Sequence, residues 1–296
     1  MNPAIALLLF FPSWSGAPLV EQDPPPDERP DRIERLEAWP EVPKELRSQV
    51  KTDIQRLRKA HTEGMGEQAR DALLAVGTPA AEGLIAALGK EKDEEAIARI
   101  VFVLDRITDA RCTRLIAESF DARSQHLRTW ALFRVAAFPD AGTLAPAEKA
   151  LSQAEKVKDP GKDDRVERLG AALCVTAAGS VEGLAVLAER APKDWGEFGA
   201  RFRVALEAVR GPEATEIAAE GLEGDRVAKI AALNLLAGCG DLAAAKRVKP
   251  LLDDTDNSIR VAAINALRGI VDGDPPLDKL PVFEAIEVAK KWKSRV

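Results

Sequence analysis

Arg226–Cys239 reads RVAKIAALNLLAGC, and 31 residues further on the chain repeats the same rhythm as NSIRVAAINALRGI. Ala231-Ala232-Leu233-Asn234-Leu235-Leu236 falls on Ala262-Ala263-Ile264-Asn265-Ala266-Leu267. Leu127–Phe138, LRTWALFRVAAF, fits the same frame with Arg128 on Arg260 and Val135 on Leu267, and Ala96–Ile107 fits it more loosely, with Leu104 standing 31 residues before Val135. A recurrence of about 20 to 50 residues constrains a chain more than any single motif. One helix pair cannot bury its own apolar face, so such units must stack on one another.

From Met65 onward apolar residues return at three- and four-residue steps, with no sustained alternation of the kind strands need. Breaks are expected at AVGTPAA, ITDARC, AFPDAGT, KVKDPGKDD, AAGSVEG, VRGPEAT, AGCGDLA and VDGDPP, each of which places Gly, Pro or Asp where a helix must stop or restart. Composition agrees, with 46% hydrophobic residues, 5% aromatics and no tyrosine. The core must be built from Ala, Leu, Val and Ile, which suits close-packed helices. A net charge of -6 repels phosphate backbones, so nucleic acid is not an expected partner.

The N-terminal residues differ. Ala4 to Phe11 is an apolar run too short to span a bilayer, followed by the small residues Ser13, Ser15 and Ala17. Residues 1–17 are read as a signal peptide cleaved after Ser15 or Ala17, the plainer alternative being a retained hydrophobic tail. No Lys or Arg precedes the run, and Pro18 is awkward beside the later cleavage point. The expectation is a periplasmic or secreted protein with no membrane span after processing. Residues 18–30, PLVEQDPPPDERP, are read as an extended acidic tether. Residues 31–64 are read as capping helices broken at Pro40 and Pro43, and 65–296 as the repeat array with its own C-terminal capping helix.

LLDDTDNSIRVAAINAL resembles the short bacterial HEAT repeat, also called PBS-lyase-type. Leu251 and Leu252 take the places of the apolar first helix, Asp254 the acidic turn, and Ile259, Arg260 and Ala263 the opening of the second helix. The resemblance covers roughly Met65 to Val271 in about six units. An insertion at Lys156–Asp163 and the lack of Arg at the family position near Trp195 depart from it. It implies an all-α, right-handed solenoid of stacked helix pairs. It also implies that Asp254 and Arg260, with Arg128 and Lys229 at corresponding places, join a polar ladder tying one repeat to the next.

Motifs for chemistry are sparse. His61 and His126 belong to no HExxH or HxxxH arrangement, and the His-Glu pairs with which some HEAT-repeat enzymes bind iron are absent, so no metal or other cofactor is expected. Cys112, Cys174 and Cys239 lie about two repeats apart, beyond disulfide reach in a stack, and are expected as small buried hydrophobes. No nucleophile elbow, P-loop or dinucleotide fingerprint occurs. The reading is a non-catalytic scaffold for a protein or peptide partner. The alternative is a lyase or modifying enzyme acting on a protein-bound group, which the family name alone suggests.

In HEAT-like folds the second helix of each pair lines the concave side, so the resemblance points to Phe133, Arg203, Glu207, Asn234, Asn265 and Arg268 as partner-binding candidates. Asn is a poor mid-helix residue because its amide competes for backbone hydrogen bonds. Its appearance twice at one repeat position reads either as an amide ladder for a partner's backbone or as an echo of duplication that bonds repeats together. Glu213, Glu216 and Glu220, with Glu182 and Glu189, are read as a solvated outer row. The closing AKKWKSRV is read as cations complementing a helix end, with Trp292 capping the last unit.

Overall fold

The computed structural model describes residues 33–59, 63–277 and 279–296. The residues read as a signal peptide and tether, and His61, lie outside them. The described residues form helices joined by turns and loops, with no strand. In chain order the helices are α1 (Arg47–Arg58), α2 (Glu63–Val76), α3 (Ala81–Leu88), α4 (Glu94–Ile107), α5 (Thr113–Ala117), α6 (Gln125–Ala137) and α7 (Leu144–Glu155). They continue with α8 (Lys162–Ala177), α9 (Leu184–Glu207), α10 (Pro212–Ala219), α11 (Arg226–Cys239), α12 (Ala244–Val248), α13 (Asn257–Leu267) and α14 (Val282–Arg295). All eight expected breaks fall between helices.

The chain divides into two compact units, Met1–Ala131 and Leu132–Val296. In the first, α1 packs against α2, α3 and α4. Glu91, beside these helices, accepts from the Arg58 guanidinium at 2.6 Å and from Lys92 N–H at 2.9 Å. Burial pushes its carboxyl up, but these donors together hold it below the ordinary range. Arg99 donates to the carbonyls of Leu57 (2.8 Å) and Arg58 (3.2 Å), closing the C-terminal end of α1. The stretch before α1 corrects one expectation: residues 33–43 form no helix. Pro40 disfavours helical geometry at Trp39. The Leu36 N–H is instead taken by Arg111 O at 2.9 Å, and Arg35 donates to Ala110 O, so extended chain is tied down by carbonyls that a turn leaves open.

In the second unit helices pack mainly on those near them in sequence: α7 on α8, α8 on α9, α9 on α11, α11 on α13 and α13 on α14. Short polar caps carry the repeat. Asp225 accepts from Val227 and Ala228 N–H at 3.0 and 2.9 Å to open α11, and Asp256, 31 residues on, accepts from Ser258 and Ile259 N–H at 2.7 and 3.4 Å to open α13. Within the first unit the same step separates Asp93, capping Ala96 at 2.8 Å, from Ser124, capping Leu127 at 3.4 Å. The insertion at Lys156–Asp163 is exposed, a loop over 156–161 that runs into the first turn of α8.

The same count places Asp194 where the next cap upstream of Asp225 should be, yet α9 runs through it as one helix of 24 residues with Pro192 inside. An interior proline removes a helix hydrogen bond and normally costs about 3 kcal/mol. Here Asp194 is used differently, pairing with Arg190 one turn earlier at 2.5 Å in a largely buried position. Four residues past Asp194, where α13 carries Arg260, stands Phe198, stacked on Phe133 at 5.3 Å between ring centroids. A buried aromatic pair stands where α6 and α13 carry Arg128 and Arg260 and α11 carries Lys229. Such a pair is worth about 0.5–1.5 kcal/mol beyond its buried area.

The polar ladder is also corrected. Arg260 donates to Asn257 Oδ1 at 3.0 Å and to Asp254 O at 2.8 Å, and Arg128 donates to Ala122 O at 2.8 Å, so each closes the turn of its own unit. Links between units also come from other residues. Arg226 reaches Asp256 at 2.5 Å and Ser258 Oγ at 2.9 Å, and its guanidinium holds the Asp256 carboxyl below the usual range. Arg247 of α12 reaches Glu216 of α10 at 2.9 Å.

The three cysteines are buried and form no disulfide. Burial pushes the thiols of Cys174 and Cys239 up to about 12, so neither is a thiolate at neutral pH. α14 buries Ala285, Ala289 and Trp292 and packs on α13 and the turn Lys249–Asp253. Its cations pair with acids: Lys293 with Asp253, Arg295 with Asp272 and Lys290 with Glu287.

Candidate functional site

α11 shows how a second helix comes to present a surface. Ala231, Ala232, Leu233, Leu235, Leu236, Gly238 and Cys239 are buried, because α9, α10 and α13 pack around it. Close approach is built in on both sides: a Cβ on Gly238 would stand 2.7 Å from Leu206 Cβ of α9, and one on Gly269 would stand 2.9 Å from the Ala237 carbonyl carbon. Beyond the first turn, what stays open on α11 is a stripe at helical spacing, Ile230, Asn234 and Ala237, continued toward the N-terminus by the exposed Val227.

The six sequence-predicted candidates separate on this surface. Phe133 is buried, with Phe198 stacked on it and the Arg201 guanidinium 4.7 Å from its ring centroid, so it is a packing residue and not a contact surface. Asn265 and Arg268 face a segment of the chain itself. Asn265 Nδ2 donates to Leu277 O at 3.1 Å while Leu277 N–H donates to Asn265 Oδ1 at 2.8 Å. Arg268 donates from Nε to Pro275 O at 3.1 Å and lies 3.1 Å from the Asp274 carboxylate. Residues 274–277, which follow the π-helical turn Arg268–Asp272 and a left-handed Gly273, are therefore a strap held to the second-helix face of the last unit.

Arg203, Glu207 and Asn234 remain open. Arg203 and Glu207 are exposed on α9, with the Arg203 guanidinium 6.0 Å from the Trp195 ring centroid. Asn234 is half-buried and has no hydrogen-bond partner among the described residues. The two asparagines thus stand at one repeat position in different states. Asn265 satisfies both ends of its amide on a peptide unit, whereas Asn234 presents the same amide unfilled.

Arg210 was missed in the sequence. Its guanidinium donates to Ala237 O at 3.3 Å, Gly240 O at 3.1 Å and Gly269 O at 3.0 Å, gathering open carbonyls at the C-terminal ends of two successive second helices. The one signal was a cation directly before the Gly211-Pro212 helix start, which resembles ordinary surface charge. The glutamate row is exposed throughout, at Glu182, Glu189, Glu213, Glu216 and Glu220, with Glu216 bonded to Arg247 and Glu189 to Arg168, each at 2.9 Å. Among the described residues no group of three or more His, Cys, Asp or Glu side chains could hold a metal ion, and no single helix is long and apolar enough to cross a membrane.

No family model matches the chain, and no match was found among curated proteins or solved structures.

Proposed function

We propose that this protein is an exported, non-catalytic scaffold of the HEAT-repeat kind, a right-handed solenoid that binds an extended peptide segment of a partner protein on its second-helix face. The observation that carries the reading is the pair of hydrogen bonds between Asn265 and Leu277. A side-chain amide on this face already grips the N–H and C=O of one extended residue, which is how main-chain recognition gives affinity without dictating sequence. Asn234 repeats that group 31 residues earlier, with no hydrogen-bond partner among the described residues. Helix packing through Gly238 and Gly269 keeps neighbouring helices close, so groups on adjacent units are presented by a rigid frame, which lowers the ordering cost of binding.

The test is capture of the partner by variants. The double variant Asn234→Ala, Glu207→Ala should hold it about tenfold more weakly, the scale of one to two hydrogen bonds, with an unchanged melting temperature. Glu213→Gln, Glu216→Gln and Glu220→Gln together should change capture little beyond a salt-sensitive effect on association. A loss of capture through the glutamates, with none through Asn234 and Glu207, would assign the partner to the other face. A large loss of stability from Asn234→Ala alone would make that amide a structural tie.

A further inference from the structure

We propose that the open position at Asn234 takes an extended segment with the strap's own chemistry: an acidic residue, two prolines, then an apolar residue that keeps its backbone N–H. The order is that of Asp274-Pro275-Pro276-Leu277, and the proposal rests on the peptide-binding reading above.

The strap's contacts state the rule. Asp274 uses its carboxylate on Arg268 and its N–H on the Arg268 carbonyl at 3.2 Å. Pro275 uses its carbonyl, and Leu277 uses both its N–H and its carbonyl. The two prolines occupy the positions whose N–H no bond requires. They cost the interface nothing and pre-set an extended backbone, which cuts the ordering entropy.

The same elements recur one unit back. Asn234 stands in register with Asn265, and Ala237 in register with Arg268. The missing cation is supplied from α9's end of the chain, because the Arg210 guanidinium lies against the Ala237 carbonyl. Half-buried Ile230 and exposed Val227 lie on the Asn234 stripe of α11, where an apolar side chain following the prolines would rest. The surface is continuous with the one the strap already occupies, since α11 and α13 pack side by side. The chain also supplies its own negative control. Asp23-Pro24-Pro25-Pro26 has the acid and both prolines, but Pro26 stands where Leu277 donates its N–H, so this sequence should not fit.

The probe is a labelled synthetic peptide, GDPPLDKL, titrated into the full chain and followed by fluorescence anisotropy. Saturable binding is expected, weakened about tenfold by Asn234→Ala in the protein and by about as much when proline replaces leucine in the peptide. A peptide reading EQDPPPDE should bind no better than the proline-substituted one. Circular dichroism of Asn234→Ala, which removes no intramolecular bond, should match the parent. Equal affinity for parent and Asn234→Ala would overturn the proposal. So would binding that is abolished by Asn265→Ala but not by Asn234→Ala, since the peptide would then be displacing the strap. If partner capture depends on Asn234 while GDPPLDKL does not bind, the ligand class is wrong and the peptide-binding face stands; if neither depends on Asn234, both fall.

Discussion

Replacing Phe202 with alanine is expected to cost about 3–5 kcal/mol of stability, the range for emptying a fully enclosed aromatic site. Phe202 is 0% exposed, its ring lies 5.2 Å from that of Trp195, and it sits on α9, the helix that packs on both α8 and α11. The cavity would open where the regular turn of a repeat has been replaced by continuous helix, so its neighbours are held from both ends and can close in only partly. Phe202→Leu should cost about 1–2 kcal/mol because most of the volume remains. Denaturant unfolding reads both: the midpoint should fall while its slope stays constant. A Phe202→Ala loss under about 1 kcal/mol would mean that α9 is not packed as described.

Gly269→Ala is expected to destabilise by about 2–3 kcal/mol although it adds one methyl group. That methyl would stand 2.9 Å from the carbonyl carbon of Ala237 and closer still to its oxygen, which is backbone and cannot swing aside. α11 and α13 would have to separate, and the Arg210 bonds to Ala237 O and Gly269 O would stretch together. Gly196→Ala is the matched comparison. It lies inside α9 with nothing within 4 Å of the added Cβ, so the helix preference for alanine should stabilise by about 0.5–1 kcal/mol. Equal effects at the two glycines would argue against close helix approach at Gly269. Thermal unfolding of the two variants side by side decides between these outcomes.

The reach of the sequence differs between features. Helix breaks were legible because Gly, Pro and Asp act locally, through φ preference, a missing N–H and caps within three residues. The repeat was legible because stacked units reuse one frame, and the caps at Asp225 and Asp256 keep it to the residue. The fate of Asp194 was not legible. It has a cap's residue type and register, but an ion pair with Arg190 and the packing of α9 along α8 and α11 outweigh a local preference worth about 1 kcal/mol. Residues 33–43 failed similarly, since their extended form depends on carbonyls at Ala110 and Arg111 far along the chain.

In the candidate site the repeat position was legible and its occupancy was not. Phe133, Arg203, Asn234 and Asn265 look equivalent in the 31-residue frame, but tertiary partners separate them. Phe198 covers Phe133, and Leu277, twelve residues beyond Asn265, fills the amide there. VDGDPP signalled only a helix stop, because proline marks an end without saying where the chain goes next. At Asn234 no described residue fills the amide in the same way.

The measurement that bears most directly on the second-helix face as the binding surface is site-specific photo-crosslinking. A photoreactive side chain is placed at Ile230, beside Asn234 on the open stripe of α11, or at Glu213 on α10, and the full chain is irradiated with its captured partner. Crosslinks from position 230 that map to one extended stretch of the partner are expected, and none from position 213. Crosslinks from position 213 with none from position 230 would contradict the second-helix face as the binding surface.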